Sequence, residues 1–250
     1  MKVSVITVSY NSVHTIEDTM MSVLNQTYSH LEYVLVDGGS TDGTVDLIRS
    51  KEQRLGPWVS EKDGGIYFAM NKGIDLANGE IVGILNSDDV YADSKVLEDV
   101  VAVFKSTQAD IVYANLDYVE RDNLSSIVRR WKAGQYKPGM FLMGWMPPHP
   151  TFFIRLEHYK NFGGYRTELR SSADYELMLR MIHKHQLKVA YLDRCIIKMR
   201  QGGQSNLSFK NRIKANKEDR LAWKLNDLQP YVFTTWLKPI RKISQFLQRS

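Results

Sequence analysis

The sequence predicts an α/β fold, with a mostly parallel central sheet flanked by helices. Three observations predict it. Through the first half, short apolar runs rich in β-branched residues alternate with stretches of helical periodicity. The apolar runs end in polar clusters, where open parallel sheets bind their ligands. The composition, 43% hydrophobic, 24% charged and 11% aromatic over 250 residues, is that of a globular chain with room for a full core, and it excludes a disordered or fibrous one.

The elements follow in order. Residues 3–8 (VSVITV) form an apolar run typical of a strand buried in a sheet. Residues 15–26 put Ile16, Met20, Val23 and Leu24 at helical spacing. A second strand, residues 33–36 (YVLV), ends in Asp37-Gly38-Gly39. Ser40 or Thr41 is then expected to cap a helix through Val45, Leu47 and Ile48. Residues 58–60 give a short third strand, and residues 66–77 a helix with Tyr67, Met70, Ile74 and Ala77 on one stripe. A fourth strand, residues 81–85 (IVGIL), precedes Asn86-Ser87-Asp88-Asp89, and Val96, Leu97, Val100, Val101 and Phe104 mark the next helix.

The second half is less regular. Strands are expected at residues 111–115, 151–154, 189–192 and 196–199. Residues 132–148, rich in Gly, Pro, Met and Trp, read as a long loop. Helices are expected at 173–183, with Tyr175, Met178, Leu179 and Ile182 inward, and at 209–225. Residues 236–247 place Trp236, Leu237, Ile240, Ile243, Phe246 and Leu247 on one face and basic residues on the other. No repeat or linker divides the chain.

Charge and cysteine narrow the function classes. The net charge is +5, and Lys238, Arg241, Lys242 and Arg249 in the acid-free segment 231–250 account for four of those charges. The remainder is close to neutral, which argues against a nucleic-acid partner. Cys195 is the one cysteine, so a disulfide framework and a Cys-rich metal site are excluded and a reducing compartment is expected. The N-terminus carries no signal-like apolar core, and no stretch approaches the ~20 apolar residues of a membrane span. A cytoplasmic location is expected, free or peripheral on the cytoplasmic face of the inner membrane.

Each polar cluster has a structural and a functional explanation. Adjacent Asp88 and Asp89 suit Mg²⁺ or Mn²⁺, which bind through one or two carboxylates and substrate phosphates, but Ser-Asp-Asp also makes a solvated turn. Asp37-Gly38-Gly39-Ser40 allows close backbone approach to a ligand, or is a tight turn. It is neither a Walker loop nor a dinucleotide fingerprint. Lys72, after Asp63-Gly64-Gly65, could meet a phosphate or stay solvated. Asp174 opens a helix, where an acid is favourable without chemistry, yet it could also accept a proton from a substrate hydroxyl. His149, between two prolines, is more simply a packing residue.

Taken together, the clusters are more specific. VSVITVSYNS, LVDGGSTDGT, SEKDGGIYFAMNKG, LNSDD and GGYRTELRSSADYELMLR occur in the order of the inverting family-two glycosyltransferases, and the chain resembles that family from about residue 3 to residue 206. The resemblance implies a GT-A-type nucleotide-sugar-binding fold: a single catalytic domain over 1–230, with a donor half at about 1–115, an acceptor half at about 116–230, and a basic amphipathic tail at 231–250. It implies a nucleotide-sugar donor, most simply a UDP-sugar, bound by Thr7, Ser9, Tyr10, Asn11, Asp37, Asp63, Lys72 and Asp88. Ser87-Asp88-Asp89 resembles the family's DXD metal motif, with Asp89 as the ligand of Mn²⁺ or Mg²⁺. Ala173-Asp174 takes the place of an "ED"-type motif, so Asp174 carries over as the catalytic base, with Glu176 as the other candidate. Arg170 is a candidate for anionic groups, and His149 for a place near the metal or acceptor. Residues 201–205 resemble a glycine-serine element that closes over the donor. The implied acceptor is a saccharide, taken with the tail as lipid-linked, in bacterial surface-polysaccharide assembly. The alternatives are a catalytically silent sugar-nucleotide-binding or scaffold protein, and a sugar nucleotidyltransferase. The latter would want a Gly-rich basic loop after the first strand, where this chain has Ser-Tyr-Asn-Ser.

Overall fold

The computed structural model describes residues 1–202 and 209–241. The first half runs β1 (Val3–Ser9), α1 (Ile16–Leu24), β2 (Leu31–Asp37), α2 (Thr44–Arg49), β3 (Trp58–Ser60), α3 (Ile66–Leu76), β4 (Ile81–Asn86), β5 (Asp89–Tyr91) and α4 (Val96–Thr107). The second half runs β6 (Ile111–Val119), β7 (Ile127–Trp131), β8 (Phe153–Arg155), α5 (Leu156–Phe162), α6 (Ala173–Met178), β9 (Val189–Arg200), α7 (Phe209–Leu225) and α8 (Thr234–Arg241).

Successive side chains of a strand point to opposite faces, and β1 shows what that does. Val3 and Val5 join one apolar layer with Ile16, Met20, Val100 and Phe104 of α1 and α4. Ile6 and Val8 join the other, with Tyr67, Met70 and Ile74 of α3. Helix α3 lies so close to β1 that a Cβ at Gly73 would run into Ile6. Both layers are buried, so β1 reads as a continuous apolar run.

The sheet order is β3-β2-β1-β4-β8-β6-β9-β5, with β7 paired to β6. Strands β3, β2, β1 and β4 are all parallel, as expected for the first half. The second half mixes directions. Strand β8 runs antiparallel to both β4 and β6, β7 is antiparallel to β6, and β9 is parallel to β6 but antiparallel to β5. The register Ser9↔Asp37, Asp37↔Ser60 and Val8↔Asn86 brings the carboxyl ends of the four parallel strands into one row.

Several expectations change. Ser40 and Thr41 do not cap α2, which starts at Thr44 behind Gly43 at φ 99. The Asp42 carboxylate makes that turn, accepting from Thr44 N and Val13 N at 3.0 Å each. Thr151 belongs to a 3₁₀ turn, His149–Thr151, rather than to the strand after it. The two strands expected at 189–199 are one, β9, with irregular register opposite Asn115. Strand β7 was not foreseen. Its Arg129 lies over the Tyr118 ring at 3.7 Å. Helix α6 continues as a π-helical segment, Leu179–Lys184, with Leu179 and Ile182 buried as expected.

Helix α8 packs on the rest of the chain: Thr234 Oγ1 donates to Leu142 O at 2.6 Å, and Lys238 Nζ reaches Asp219 at 2.8 Å. It begins two residues before the expected start, which places Pro239 at its sixth position. Residues 203–205 of the glycine-serine element and 242–247 of the amphipathic stretch lie outside the described residues. Among the described residues no helix is long and apolar enough to cross a membrane.

Candidate active site

The row of strand ends is tied into one rim by side chains. Asp37, fully enclosed at the end of β2, accepts from Ser9 Oγ at 2.9 Å, Gly39 N at 3.0 Å, Ser40 N at 2.8 Å, Ser40 Oγ at 2.5 Å and Ser60 Oγ at 2.7 Å. Burial pushes its carboxyl upward, but these donors, led by Ser40, outweigh burial and hold it below the ordinary carboxylate range. Five donors fill a carboxylate, so a ligand bonding Asp37 must displace one of them.

Asn11 sits at φ 49, a left-handed conformation that asparagine tolerates. That bend lets Asn11 N donate to Ser40 Oγ at 2.8 Å and Asn11 Oδ1 accept from Thr41 N at 3.0 Å. One residue on, Ser12 Oγ meets Ser87 Oγ at 2.8 Å, joining the β1 end to the β4 end. A side chain at Gly38 would touch Asp63 Oδ2 at 3.1 Å and the Tyr10 ring at 3.4 Å, so these two converge over Gly38. Tyr10 is 60% exposed, a flat apolar face open to a planar ligand.

Two expected donor residues are already engaged with other side chains. Thr7 points into the α1/α4 layer, fully buried, where Tyr33 Oη donates to Thr7 Oγ1 at 3.0 Å. Lys72 is ion-paired with Glu61, both side chains remaining partly exposed to solvent. Arg170 is exposed on the loop before α6.

Asp88 and Asp89 differ sharply. Asp89, the expected metal ligand, is 0% exposed, with Asn86 Nδ2 on Oδ2 at 3.1 Å and its backbone carbonyl held by Thr19 Oγ1 at 2.8 Å. Asp88 is partly exposed. Burial pushes both carboxyls up; Asp88 adds to the rise at Asp89, and Arg200 opposes it at both. Burial, not spacing, therefore makes Asp88 the carboxylate within reach of solvent and Asp89 its support. Two acceptors here, Asn86 Oδ1 and Asp89 Oδ1, are buried without a partner. Among the described residues no group of three His, Cys, Asp or Glu is placed to enclose an ion. An oxygen-only set with one reachable carboxylate fits a hard divalent cation that completes its shell with water and phosphate.

Arg200, which sequence reasoning missed, pins this turn. It donates to Asp88 O at 2.9 Å, Arg121 O at 2.9 Å and Asp18 Oδ2 at 2.5 Å. Arg200, Asp18 and Arg121 also line a cavity of about 410 Å³ with His14, Thr15 and Asp122.

On the acceptor side, Asp174 opens α6, partly exposed, with Tyr67 Oη 3.5 Å from Oδ1. His149 is buried, and its Nε2 pairs with Tyr165 Oη at 2.7 Å. Burial pushes its pKa down, and the Asp174 charge opposes this. Glu176, the other candidate base, is fully enclosed and bonded to Arg180 at 2.9 Å, Arg166 at 3.1 Å and Asn226 at 2.9 Å. Tyr67 and Tyr165 were missed as site residues because their partners lie far away in sequence; only Tyr67's place on the buried stripe of α3 was legible.

Strand-end clusters joined into one polar rim on a half-parallel sheet, with Asp174 partly exposed at the start of α6 in the second half, are the arrangement expected of a nucleotide-sugar transferase. Residues 4–193 match the family described as Glycosyl transferase family 2. The chain belongs to that family, and it is a glycosyltransferase. It is 30% identical over 186 residues to an uncharacterised glycosyltransferase of Mycobacterium tuberculosis, covering 71% of this chain and 68% of the relative. It is 42% identical over 97 residues, 38% of each chain, to the putative teichuronic acid biosynthesis glycosyltransferase TuaG of Bacillus subtilis. Its fold matches that of S. aureus TarS 1-349 in complex with UDP-GlcNAc at a TM-score of 0.69 and 20% identity, covering 100% of this chain and 72% of that one. It also matches the mannosyltransferase PcManGT of Pyrobaculum calidifontis, in complex with GDP-Man and Mn2+, at a TM-score of 0.65 and 19% identity, covering 97% and 73%.

Proposed function

We propose that this glycosyltransferase moves a sugar, with inversion, from a UDP-sugar to a saccharide hydroxyl in bacterial surface-polysaccharide assembly. One observation carries the reading: the strand-end clusters share a single hydrogen-bonded rim, from Ser60 through Asp37, Ser9 and Ser40 to Asn11, and from Ser12 to Ser87. TuaG and TarS support the polysaccharide setting and the UDP-sugar.

Tyr10 and Asp63 take the nucleoside, with Asn11 and Ser9 shaping its floor and Asp37 holding the loop. Asp88, backed by Asn86 and Asp89, holds Mn²⁺ or Mg²⁺. Bound there, the ion supplies charge neutralisation to the diphosphate as it leaves. The acceptor hydroxyl attacks the anomeric carbon from the face opposite the diphosphate. The bond from that carbon to the phosphate oxygen breaks, its electron pair leaves with the diphosphate, and the hydroxyl proton passes to Asp174. General-base help of this kind contributes typically ~10²–10⁴-fold. Residues 1–230 act as one catalytic unit. The tail from 231 holds a lipid-linked acceptor's membrane close, for which the exposed Val232, Phe233 and Trp236 and the acid-free basic segment speak.

Asp174→Asn tests the base. It is expected to lose turnover of UDP-GlcNAc, or of the UDP-sugar found active on the wild type, by 10²-fold or more, while calorimetry still shows UDP binding. Near-normal transfer by the purified variant ends the assignment.

A further inference from the structure

Helix α3 lies in the first half of the chain, yet two of its side chains hold the segment that carries Asp174. Tyr67 and Asn71 are four residues apart and so share one face. Asn71 Nδ2 donates to Tyr165 O at 2.8 Å, and Tyr165 N donates to Asn71 Oδ1 at 2.7 Å, a closed pair across 94 residues of sequence. The neighbouring Gly164 leaves room for it, since a Cβ there would run into Asn71 Oδ1. Tyr67 stacks on the Tyr165 ring, centroids 5.7 Å apart and planes 15° apart. Its hydroxyl oxygen faces the backbone N–H groups of Asp174 and Ala173 and lies 3.5 Å from Asp174 Oδ1. Packing alone would be served by phenylalanine at 67. The hydroxyl is the part with no packing role, and it points at the acid.

We infer that Tyr67 and Asn71 of α3 are positioning residues for Asp174: Tyr67 engages Oδ1 and leaves the other oxygen for the acceptor proton, and Asn71 fixes the backbone from which that arm hangs. This rests on Asp174 being the base. Helix α3 starts directly after Asp63-Gly64-Gly65, whose Asp63 converges on Gly38, so one rigid element joins the nucleotide loop to the base. Tyr67 of α3 reaches Asp174, and the Asp174 charge also acts on His149 from the turn before β8 and on Tyr165 from the preceding loop. Glu218 of α7 lies close by, accepting from Ser171 N at 2.7 Å.

The test is steady-state turnover of the full chain on the UDP-sugar active with the wild type. Tyr67→Phe is expected to lower kcat by about tenfold with the donor KM and UDP binding unchanged, because the base loses its orientation and not its donor site. An unchanged kcat overturns the role of Tyr67. Asn71→Ser is expected to speed amide exchange across 163–174 by about tenfold at unchanged circular dichroism. Unchanged exchange overturns the role of Asn71, and if that variant does not fold, the Tyr67→Phe kinetics decide alone. Turnover by Asp174→Asn distinguishes the two layers. Full activity there removes the base, and with it the purpose of the pair, whatever Tyr67→Phe shows.

Discussion

Asp88 and Asp89 are neighbours in sequence and opposites in surroundings, and that difference can be measured. Asp88→Asn is expected to abolish the extra thermal stabilisation that Mn²⁺ gives in the presence of UDP, with the melting temperature of the free protein changed little; a retained Mn²⁺ effect would move the ion elsewhere. His149 gives a second residue-scale prediction. Its folded pKa lies below the ordinary histidine value because burial disfavours the cation. The unfolded chain therefore binds the extra proton first, so stability is full above about pH 6.5 and falls as pH drops below it, until the lowered folded value is passed. Melting temperatures from pH 8 to 5 should show this slope in the wild type and lose part of it in His149→Gln. Equal slopes would contradict it. At this scale the sequence showed which residue types gather at the strand ends but not which face each takes. Thr7 and Asp89 looked available because their motifs contain them, and only the pleat and the surrounding layer bury them. Glu176 was a candidate because it is the next acid after Ala173-Asp174 in the segment that resembles the ED-type motif, whereas Arg180 one turn away and Arg166 neutralise it inside the core.

The elements that sequence reasoning placed well are those with strong local signals. Strands β1 and β4 are short apolar runs, and α3 and α4 have complete helical stripes. The elements it missed depend on distant partners. Among the described residues strand β7 pairs with β6, and it carries Arg129 and Arg130, so no apolar alternation marks it. Strand β9 looked broken because Asp193, Arg194 and Cys195 interrupt its apolar pattern where the pairing with β6 slips register. Helix α2 was given the wrong cap because Ser40 is turned toward Asp37 instead of the helix. The seating of α3 on β1 gives the element-scale prediction. Gly73→Ala forces a methyl against Ile6, and overpacking of this kind costs about 1–3 kcal/mol. Urea unfolding should show that loss with an unchanged m-value, together with weaker transfer if α3 positions Asp174. A fully stable variant would mean that the α3–β1 contact gives way freely.

Across the whole molecule, four parallel strands end in one polar rim, and under the proposed function that rim takes the nucleotide while Asp174 of the mixed second half takes the proton. The order of the clusters along the chain made the first part legible, because the carboxyl ends of parallel strands must lie on one edge. The position of Asp174 was legible only through family resemblance, since nothing local says that α3 and α6 touch. At the C-terminus, Thr234 and Lys238 fasten α8 to the domain while Val232 is 89% and Trp236 62% exposed. A chain ending at residue 229 is expected to lose binding to vesicles containing anionic lipid and to keep binding UDP; vesicle binding equal to the full chain would assign this face another role. The most direct measurement of the central claim is anomalous diffraction from a crystal soaked with UDP and Mn²⁺. A manganese peak beside Asp88, with the uracil ring against Tyr10 and Asp63 at the ends of β1 to β4, is the predicted result. Nucleotide and metal bound away from that edge, with the Ser9, Asp37 and Asp88 cluster untouched, would contradict it.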